Sequence, residues 1–462
     1  MPGLFQGLEL AKRALLTHQS SLQTIGHNIA NINTPGYRRQ RVSISSTQPE
    51  FTTQGSIGTG VSATDVRHIR DLFLGDQYRK DRRSLGQWEY KEKTLSQVEA
   101  QFGEPNDNAL SDILSEFWGS WSSLARGDAG SRETIAENAR LLVNGLQTLA
   151  GNLISLQDST DRELVAMTSD INAITAEIAR VNHQIKRSEL GGQSANDLRD
   201  VRDQLVDDLS VFVDVNTHET PIGDFMVFIG SFTVVDQDNQ FEIATAITNI
   251  DGHAYHDLVW KGSKVEIRNL NGQMKGLLDS RDEIIPRYLE KLDEVARAIV
   301  TEVNALHRSG YGADGSTGVD FFDPRFISAA TISISFDILA DSSKIAASQS
   351  GDPGDTRVAK AIADLSEAEI LGRNTVTVGD FYNGLVGGLG IEAREARSST
   401  ESYELLVNQV VNERLSVEGV SLDEEMTNMI RFQRAYDAAA RVITTMDQAL
   451  DTVINNMGIV GR

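Results

Sequence analysis

The sequence contains no cysteine, which excludes disulfide bonds, thiolate metal ligands and cysteine nucleophiles. It also lacks any apolar run of the length, about 18 residues, that a membrane-spanning helix needs. The start, MPGLFQG, has neither a charged leading region nor a continuous apolar region, so we expect no cleaved secretory signal and no membrane anchor. If the protein leaves the cell, it must use another route of export.

Familiar catalytic motifs are lacking as well, including the Gly-x-Ser-x-Gly elbow, the Walker sequence and His-Glu-x-x-His. His253, His256 and Asp257 in DGHAYHD come nearest to a metal constellation, but we expect this turn-rich loop to be solvated. The glycines of residues 55–60 are in the wrong order for a dinucleotide fingerprint, and no buried strand precedes them. We therefore predict no enzyme activity, no metal and no cofactor.

Positive charge is scarce, since 43 Lys and Arg residues face 66 Asp and Glu residues, giving a net charge of −23. This balance argues against a nucleic-acid-binding protein, because phosphates require the opposite sign. Residues 1–83 are the exception, with 11 basic against 6 acidic side chains. Aromatic stacking residues do not accompany them, so we interpret them as complementary to acidic surfaces of neighbouring subunits. They are Arg38, Arg39, Arg41, Arg67, Arg70, Arg79, Lys80, Arg82 and Arg83.

Both ends of the 462-residue chain carry apolar stripes whose spacings alternate between four and three, which is the heptad pattern of helices that pack along other helices. The N-terminal stripe is Leu4, Leu8, Ala11, Leu15, His18, Leu22, Ile25, Ile29 and Ile32. The C-terminal stripe is Leu422, Met426, Met429, Gln433, Tyr436, Ala440, Ile443, Asp447, Leu450, Ile454 and Met457. Such helices can pack on the core of their own domain. With little else nearby to bury against, they more simply pair with each other or with identical neighbours.

Polar residues occupy several core positions of the C-terminal stripe, so the helix pair should be weak in isolation. We expect both termini to be largely unfolded in the free monomer and to become ordered on assembly. The first helix should end near residue 32. Pro35 disfavours helical geometry at Thr34 and Gly36 tolerates a positive φ, so residues 34–37 suit a type II turn.

The interior is predominantly helical in pattern, and the chain is long enough for two to four domains. A stripe over residues 133–188 predicts a rod of roughly 80 Å, which we expect to pack in a bundle with helices 71–101, 281–308 and 400–416. Trp118 and Trp121 are expected to be core anchors. Residues 38–62 have the composition of an extended or loosely ordered connection.

A short helix should begin at residues 194–203, where carboxylates accumulate. These are Asp197, Asp200, Asp203, Asp207 and Asp208. They could suggest a metal cluster, but the interleaved Arg199 and Arg202 favour helix-dipole effects and pairing on the surface.

Short β-branched and aromatic runs separated by turns fill residues 211–275 and predict a small antiparallel β-domain, which residues 330–338 could join. The fold class is therefore mainly α and multi-domain, with paired terminal coiled-coil helices, an elongated helical bundle and an inserted β-domain. We predict a terminal domain of residues 1–37 and 422–462, a helical rod domain and an outer β-domain of residues 211–275. The rod domain is formed by residues 38–210 and 276–421, with 310–345 partly β.

The stretch LAKRALLTHQSSLQTIGHNIANINTPGYRRQRVSI resembles the N-terminal signature of bacterial flagellar rod, hook and hook-associated proteins. The hallmark of that family is an Ala-Asn-x-Asn-Thr-Pro-Gly-Tyr turn, here residues 30–37, with His27 where the family more often has Asn. SVEGVSLDEEMTNMIRFQRAYDAAARVITTMDQALDTVINNMG resembles the C-terminal signature. ANDLRDVRDQLVDDLS and SKIAASQSGDPGDTRVAKAIADL are similar to members at the junction of hook and filament. The resemblance spans essentially the whole chain and is weakest over residues 215–270 and 325–342.

The resemblance implies an extracellular structural adaptor that forms a ring of identical subunits between the hook protein and a second junction protein. It implies export in unfolded form through the flagellar type III apparatus, with an export chaperone on the C-terminal helix, and neither nucleic acid nor membrane as a partner. The implied N-terminal interface residues are Leu8, Leu15, Leu22, Ile25, Ile29, Asn31, Asn33, Thr34, Pro35, Gly36 and Tyr37. The C-terminal interface, which also serves the chaperone, is Leu422, Met426, Met429, Phe432, Tyr436, Ile443, Leu450 and Ile454. The alternatives are another axial protein, from hook or rod, and an extracellular enzyme on an axial scaffold.

Overall fold

The computed structural model describes residues 2–52, 55–103, 109–127, 131–192, 194–220, 223–250, 253–268 and 270–456. Within these residues the fold is mainly helical, with small antiparallel sheets, as the sequence predicts. The α-helices are α1 (Pro2–Ala30), α2 (Leu72–Phe102), α3 (Leu110–Arg126), α4 (Ser131–Glu189), α5 (Asn196–Phe212), α6 (Gln273–Asp279), α7 (Ile285–Arg308), α8 (Phe336–Ala340), α9 (Arg357–Ala363), α10 (Val378–Glu418) and α11 (Leu422–Asp451). Short π-helical turns occupy Ser280–Ile284 and Thr452–Asn456.

The strands form small antiparallel sheets. They are β1 (Gln40–Ser46), β2 (Glu50–Thr52), β3 (Gly55–Ile57), β4 (Val61–His68), β5 (Val215–Glu219), β6 (Phe225–Ile229), β7 (Phe232–Asp236), β8 (Asn239–Gln240), β9 (Ile243–Ile250) and β10 (His253–Trp260). β5 to β8 follow one another in a four-stranded sheet, whereas β1 pairs with β4, β2 with β3, and β9 with β10.

Backbone contacts divide the chain into two compact units. The terminal unit consists of Met1–Arg83, Asp170–Glu242 and Glu404–Arg462 and so contains both chain ends. The central unit consists of Ser84–Ser169 and Ile243–Tyr403. The boundaries of the terminal, rod and outer domains that the sequence suggests stay a prediction.

Residues 38–62 were expected to be an extended or loosely ordered connection, and the structure shows the extended alternative, with regular paired strands that the composition did not identify. β1 and β4 form a ribbon along α1, and the short β2–β3 pair extends it. We call residues 40–52 and 55–68 the arm. Its strands were not identified because they contain no apolar run: in β1 the buried Gln40 and the half-buried Val42 are separated by the exposed Arg41, and residues 44–46 are exposed.

The central unit has an aromatic core. Trp121 and Phe117 of α3 are fully buried against Phe321 and Phe322, with Trp121 and Phe321 ring centroids 5.3 Å apart. Trp118 is 6% exposed, so both tryptophans are core anchors as predicted.

α4 has 59 residues, about 88 Å of helix at 1.5 Å per residue, and the residues of its predicted apolar stripe are largely buried.

Three β predictions need correction. DGHAYHD, expected to be a solvated loop, begins with residues 251 and 252, which lie outside the described residues, and its other five residues belong to strand β10. KVEIRNL, expected to be a strand, forms no regular strand in its described residues, but it lies beside β10, where Glu266 bridges Val259 and the Ile267 N–H donates to Leu258 O. Residues 330–338 do not join the β5–β8 sheet, because Ile334 bridges Phe322 and α8 then begins at Phe336.

Candidate assembly site at the paired chain ends

α1 and α11 pack side by side and run in opposite directions. Asn28 Nδ2 donates to Glu425 Oε2 at 3.0 Å, and the rings of His18 and Phe432 lie 5.9 Å apart. Further along, a Cβ at Gly7 would come within 2.8 Å of Met446 Cε. Residues closer to the start of α1 therefore contact residues closer to the end of α11, as expected for an antiparallel helix pair.

The fully buried face of α1 is composed largely of small and polar residues. Ala11, Thr17, Ser21, Ile25 and Asn28 are each no more than 6% exposed. This face is buried because α1 packs on β1 and β4 as well as on α11. The expectation that the terminal helices have little else nearby to bury against is therefore wrong, since the arm covers part of α1.

The residues predicted for the assembly interface remain largely accessible in the single chain. At the N-terminus, Ile25 is buried, and Leu8, Leu15, Leu22, Ile29, Asn31 and Tyr37 are half-buried, while Asn33, Thr34, Pro35 and Gly36 are exposed. At the C-terminus, Met429, Phe432, Tyr436, Ile443 and Leu450 are half-buried, while Leu422, Met426 and Ile454 are exposed. The side chain of Leu4 and all of Met457 lie outside the described residues. Contact of these residues with neighbouring subunits stays a prediction.

Further apolar residues outside the heptad stripes are also exposed on these helices. Phe5 and Leu16 of α1 are 60% and 54% exposed, and Ile430 and Val442 of α11 are 49% and 42% exposed. The heptad count missed them because it followed one stripe only, whereas α1 and α11 carry apolar residues on more than one face.

The turn after α1 forms as predicted, although the helix ends at Ala30. Tyr37 N donates to Thr34 O at 3.2 Å, and Gly36 has a φ of +77°, the two features of a type II turn. A Cβ at Gly36 would also lie 2.9 Å from Gln204 Oε1 of α5. Glycine is therefore required here by the backbone angle, and a larger residue would also have to displace the flexible end of the Gln204 side chain.

Asn28 joins this turn to both chain ends. Its Oδ1 accepts from Tyr37 Oη at 2.8 Å and from Gln40 N at 2.9 Å, and its Nδ2 donates to Gln40 O and to Glu425. Burial raises the pKa of Tyr37, and the nearby carboxylates of Asp197, Asp200 and Glu425 raise it further, so the phenol stays protonated as a donor. One buried amide side chain thus joins α1, β1 and α11.

Arginines that follow the turn bind carboxylates of α10 and α11. Arg38 donates to the Asp203 carboxylate and, through Nε at 2.9 Å, to Glu418 Oε2. Arg39 Nε donates to Glu425 Oε1 at 2.7 Å, and its backbone N–H donates to Glu418 O at 2.8 Å, at the end of α10. Arg38, Asp203 and Glu418 are at most 6% exposed as side chains.

The same cluster continues along α5. Arg79 and Arg414 both bind Asp207, at 2.8 Å and 3.0 Å. Asp200 accepts from the backbone N–H of Arg38 at 3.0 Å and lies 2.8 Å from His68 Nδ1, and Arg70 is 3.3 Å from Asp203. We call the set the ionic junction. It comprises Arg38, Arg39, His68, Arg70, Arg79, Asp200, Asp203, Asp207, Arg414, Glu418 and Glu425.

The ionic junction corrects two expectations. Asp200, Asp203 and Asp207 were expected to pair on the surface, but they are buried and bind arginines more than a hundred residues away in the sequence. Of the basic residues expected to face acidic neighbours, Arg38, Arg39, Arg70, Arg79 and Arg83 pair within their own chain. Spacing along one helix cannot reveal partners that only the tertiary fold brings near.

Charge balance keeps the buried carboxylate of Asp203 ionised. Burial alone would raise the pKa of Asp203, but Arg38 and Arg70 outweigh that effect and hold its pKa below the ordinary value. A buried ion of this kind is tolerated only while its partners are in place. The N-terminal segment, α5 and the α10–α11 connection are therefore coupled electrostatically.

The histidines considered for metal binding have structural contacts. His256 Nδ1 lies 2.6 Å from Asp161 Oδ2, and the fully buried Arg281 donates to the other oxygen of Asp161 at 2.8 Å. In the described part of the chain, no group of three or more His, Asp or Glu side chains is placed to hold a metal ion. No described helix combines the length and apolarity needed to cross a bilayer.

Comparison with known proteins first gives the class. Residues 8–38 match the flagella basal body rod protein model, and residues 411–457 match the model of the flagellar basal body rod FlgEFG protein C-terminal region. These matches coincide with the paired ends and mark the chain as a flagellar protein of the rod and hook class. Residues 95–322 match the helical domain of flagellar hook-associated protein FlgK.

Full-length relatives give the particular family. The chain is 34% identical to flagellar hook-associated protein 1 of Bacillus subtilis over 100% of both chains, and 24% identical to that of Salmonella typhimurium over 96% of this chain and 98% of the relative. It therefore belongs to the flagellar hook-associated protein 1 family, whose members are structural components of the bacterial flagellum. The flagellar hook junction protein FlgK of Burkholderia pseudomallei shares the fold, with a TM-score of 0.65 and 15% identity over 74% of this chain and 100% of that one.

Proposed function

We propose that this chain is a structural adaptor that polymerises as a ring at the junction between the flagellar hook and the filament. The observation that supports this function is the apolar surface left on the paired terminal helices. Leu16, Met426 and Ile430 are 54%, 48% and 49% exposed. Scattered apolar side chains are ordinary on a monomer, but a set that follows both helices is typical of an interaction surface. Stacking of identical copies would bury it.

The adaptor's task is to present two different surfaces, one to the hook protein and one to a second junction protein. A bending hook and a stiff filament can then be joined without either being strained into the packing of the other. The ionic junction supports such a role, because it fixes both terminal helices to α5 and so sets the geometry of the surface that they present.

The route to the junction is part of the proposal. Met429, Phe432 and Tyr436 on α11 are only half-buried in the single chain, so an unassembled C-terminal helix exposes apolar surface in the cytoplasm. We propose that an export chaperone covers this helix and that the chain passes unfolded through the flagellar type III export apparatus to an extracellular position. In this role it is a scaffold and not an enzyme.

The test is complementation of a strain that lacks the gene. Met426→Asp and Leu450→Asp place a charge on the proposed surface, and Leu190→Asp, at a residue 84% exposed just after α4, is the matched control. We expect the deletion and the two α11 variants to give hooks without filaments and flagellin in the medium, whereas the control restores filaments.

Electron micrographs of hook ends provide the readout. Normal filaments on the deletion strain would contradict the proposal. Absence of the hook itself would favour the second candidate, a rod or hook protein, to which the matches at both chain ends also point.

A further inference from the structure

The β2–β3 part of the arm carries an aromatic side chain that the described residues of its own chain leave largely uncovered. Phe51 of β2 is 85% exposed. The neighbouring Glu50 accepts a hydrogen bond from the Gln6 amide, so this part of the arm lies beside the start of α1. A single exposed apolar residue is ordinary on a protein surface, so the exposure of Phe51 alone does not identify a contact. Aromatic side chains are, however, typical anchors of protein interfaces.

A small aromatic cavity lies at the opposite end of α1. Its volume is about 200 Å³. Its apolar lining is formed by Tyr37, Tyr78, Val411 and Leu415, and the rest of its wall includes the paired charges Arg38, Asp207, Arg414 and Glu418 of the ionic junction. Tyr37 places the cavity near the end of α1, because Tyr37 Oη donates a hydrogen bond to Asn28 Oδ1 there. A volume of about 150 Å³ is enough to hold a benzene ring, so by size this cavity has room for a single aromatic side chain, which would contact its two tyrosines and two aliphatic residues.

The aromatic side chain cannot enter the cavity of its own chain. Gln6 and Asn28, which mark the two ends, are separated by about 33 Å of helix at 1.5 Å per residue. A projecting residue at one end and a cavity at the other define a heterologous, head-to-tail contact. A series of copies joined by such contacts either closes into a ring or continues as an open helix.

The charges beside the two features are complementary. Glu50 is adjacent to Phe51 and is exposed. Arg82 follows Tyr78 by one helical turn, lies close enough to influence the pKa of that tyrosine, and has no ion-pair partner among the described residues. An exposed carboxylate beside the aromatic ring thus matches an unpaired guanidinium beside the cavity.

We propose that Phe51 of one copy inserts into the cavity between Tyr37 and Leu415 of a second copy, with Glu50 facing Arg82. This contact rests on the proposed function, because it presupposes that copies assemble with one another. It adds a polarity to the assembly: the arm of each subunit engages the turn region of the next subunit.

The absence of natural cysteine permits a direct test by disulfide formation. Two differently tagged copies, one Phe51→Cys and the other Leu415→Cys, are expressed together in the deletion strain, and flagella are isolated and oxidised. We expect a mixed-tag disulfide dimer. The control pairs Phe51→Cys with Leu405→Cys, a residue 71% exposed on the same helix but about 15 Å from Leu415. Its dimer yield should be at least about tenfold lower, because a disulfide needs Cα atoms within about 7 Å.

Equal dimer yields for the two pairs, or none for either while both copies reach the hook end, would overturn the proposal. Charge reversal gives an independent measurement. Glu50→Arg or Arg82→Glu alone should weaken retention at the hook end at least about tenfold, and the double variant should recover it. A double variant no better than the singles also overturns it. Failure of the wild-type chain to localise at hook ends would instead contradict the proposed function.

Discussion

Replacing Arg38 with methionine tests the ionic junction, because it removes the charge while keeping most of the side-chain volume. The Arg38 side chain is 5% exposed and binds Asp203 and Glu418, which are 1% and 6% exposed. Removing one partner of a buried ion pair costs about 3–5 kcal/mol. Asp203 would still lie near Arg70 at 3.3 Å, and Glu418 near Arg414 at 3.6 Å, so we expect a loss of about 3 kcal/mol from the terminal unit.

The same substitution should change the pH dependence of stability. In the wild type the pKa of Asp203 is below its ordinary value, so its contribution is present above a pH of about 4 and is lost as the pH falls through the folded-state pKa. Without Arg38, the largest of the charge effects that oppose burial is lost, so the pKa of Asp203 rises. The penalty of Arg38→Met should therefore be largest at neutral pH and should shrink as the carboxylate becomes protonated in acid.

Urea unfolding can distinguish the two units. Trp88, Trp118, Trp121 and Trp260 are the 4 tryptophans of the chain, and all belong to the central unit. Far-ultraviolet circular dichroism reports both units, whereas tryptophan fluorescence reports the central one. We expect Arg38→Met to move the helical transition but not the fluorescence transition. Arg325→Met, at a residue 78% exposed, should move neither. A loss below about 1 kcal/mol, or equal movement of both transitions, would refute the reasoning.

Two further predictions concern single residues. Gly36→Ala should destabilise the terminal unit by about 1–2 kcal/mol in urea unfolding, because a side chain at φ +77° is strained. Adding Gln204→Ala to the same chain should relieve only the steric part of that loss. An unchanged unfolding midpoint for Gly36→Ala would contradict this prediction. Burial lowers the pKa of His307, whose Nδ1 lies 2.7 Å from Val319 O and whose Nε2 accepts from Ala346 N, so the folded ring is neutral. The contribution of neutral His307 to the free energy of unfolding is present above pH 6.5 and is lost as the pH falls through the lower folded-state pKa. Fluorescence-detected unfolding should show this loss of stability in acid. His307→Gln should abolish the pH dependence.

The sequence predicted those helices and turns that depend only on residues close together in the chain. The length of α4, the start of α2 and the turn at Pro35 follow from helical periodicity and from the backbone chemistry of proline and glycine. The pairing of α1 with α11 was one of the two arrangements that the matching stripes predicted, the other being pairing with identical neighbours, and the stripes did not give its antiparallel direction. The family signature added the biological setting.

Longer-range features could not be predicted in this way. Thr17, Ser21 and Asn28 form much of the buried face of α1, and no hydrophobicity pattern selects such residues. Asp203 and Arg38 are 165 residues apart, so the acidic run on α5 looked like an ordinary solvated helix face. The arm was missed because its covered face is short and is interrupted by Ser, Thr and Gln.

Amide hydrogen exchange of the isolated monomer and of the assembled flagellum most directly tests the central claim, that the terminal helices are interfaces completed by assembly. In dilute monomer we expect residues 5–20 of α1 and 430–451 of α11 to exchange at least about 100-fold faster than α7, and residues near Asn28 and Glu425 to be intermediate. In assembled flagella all of them should become protected. Terminal helices as slow as α7 in the monomer, with no change on assembly, would contradict the account.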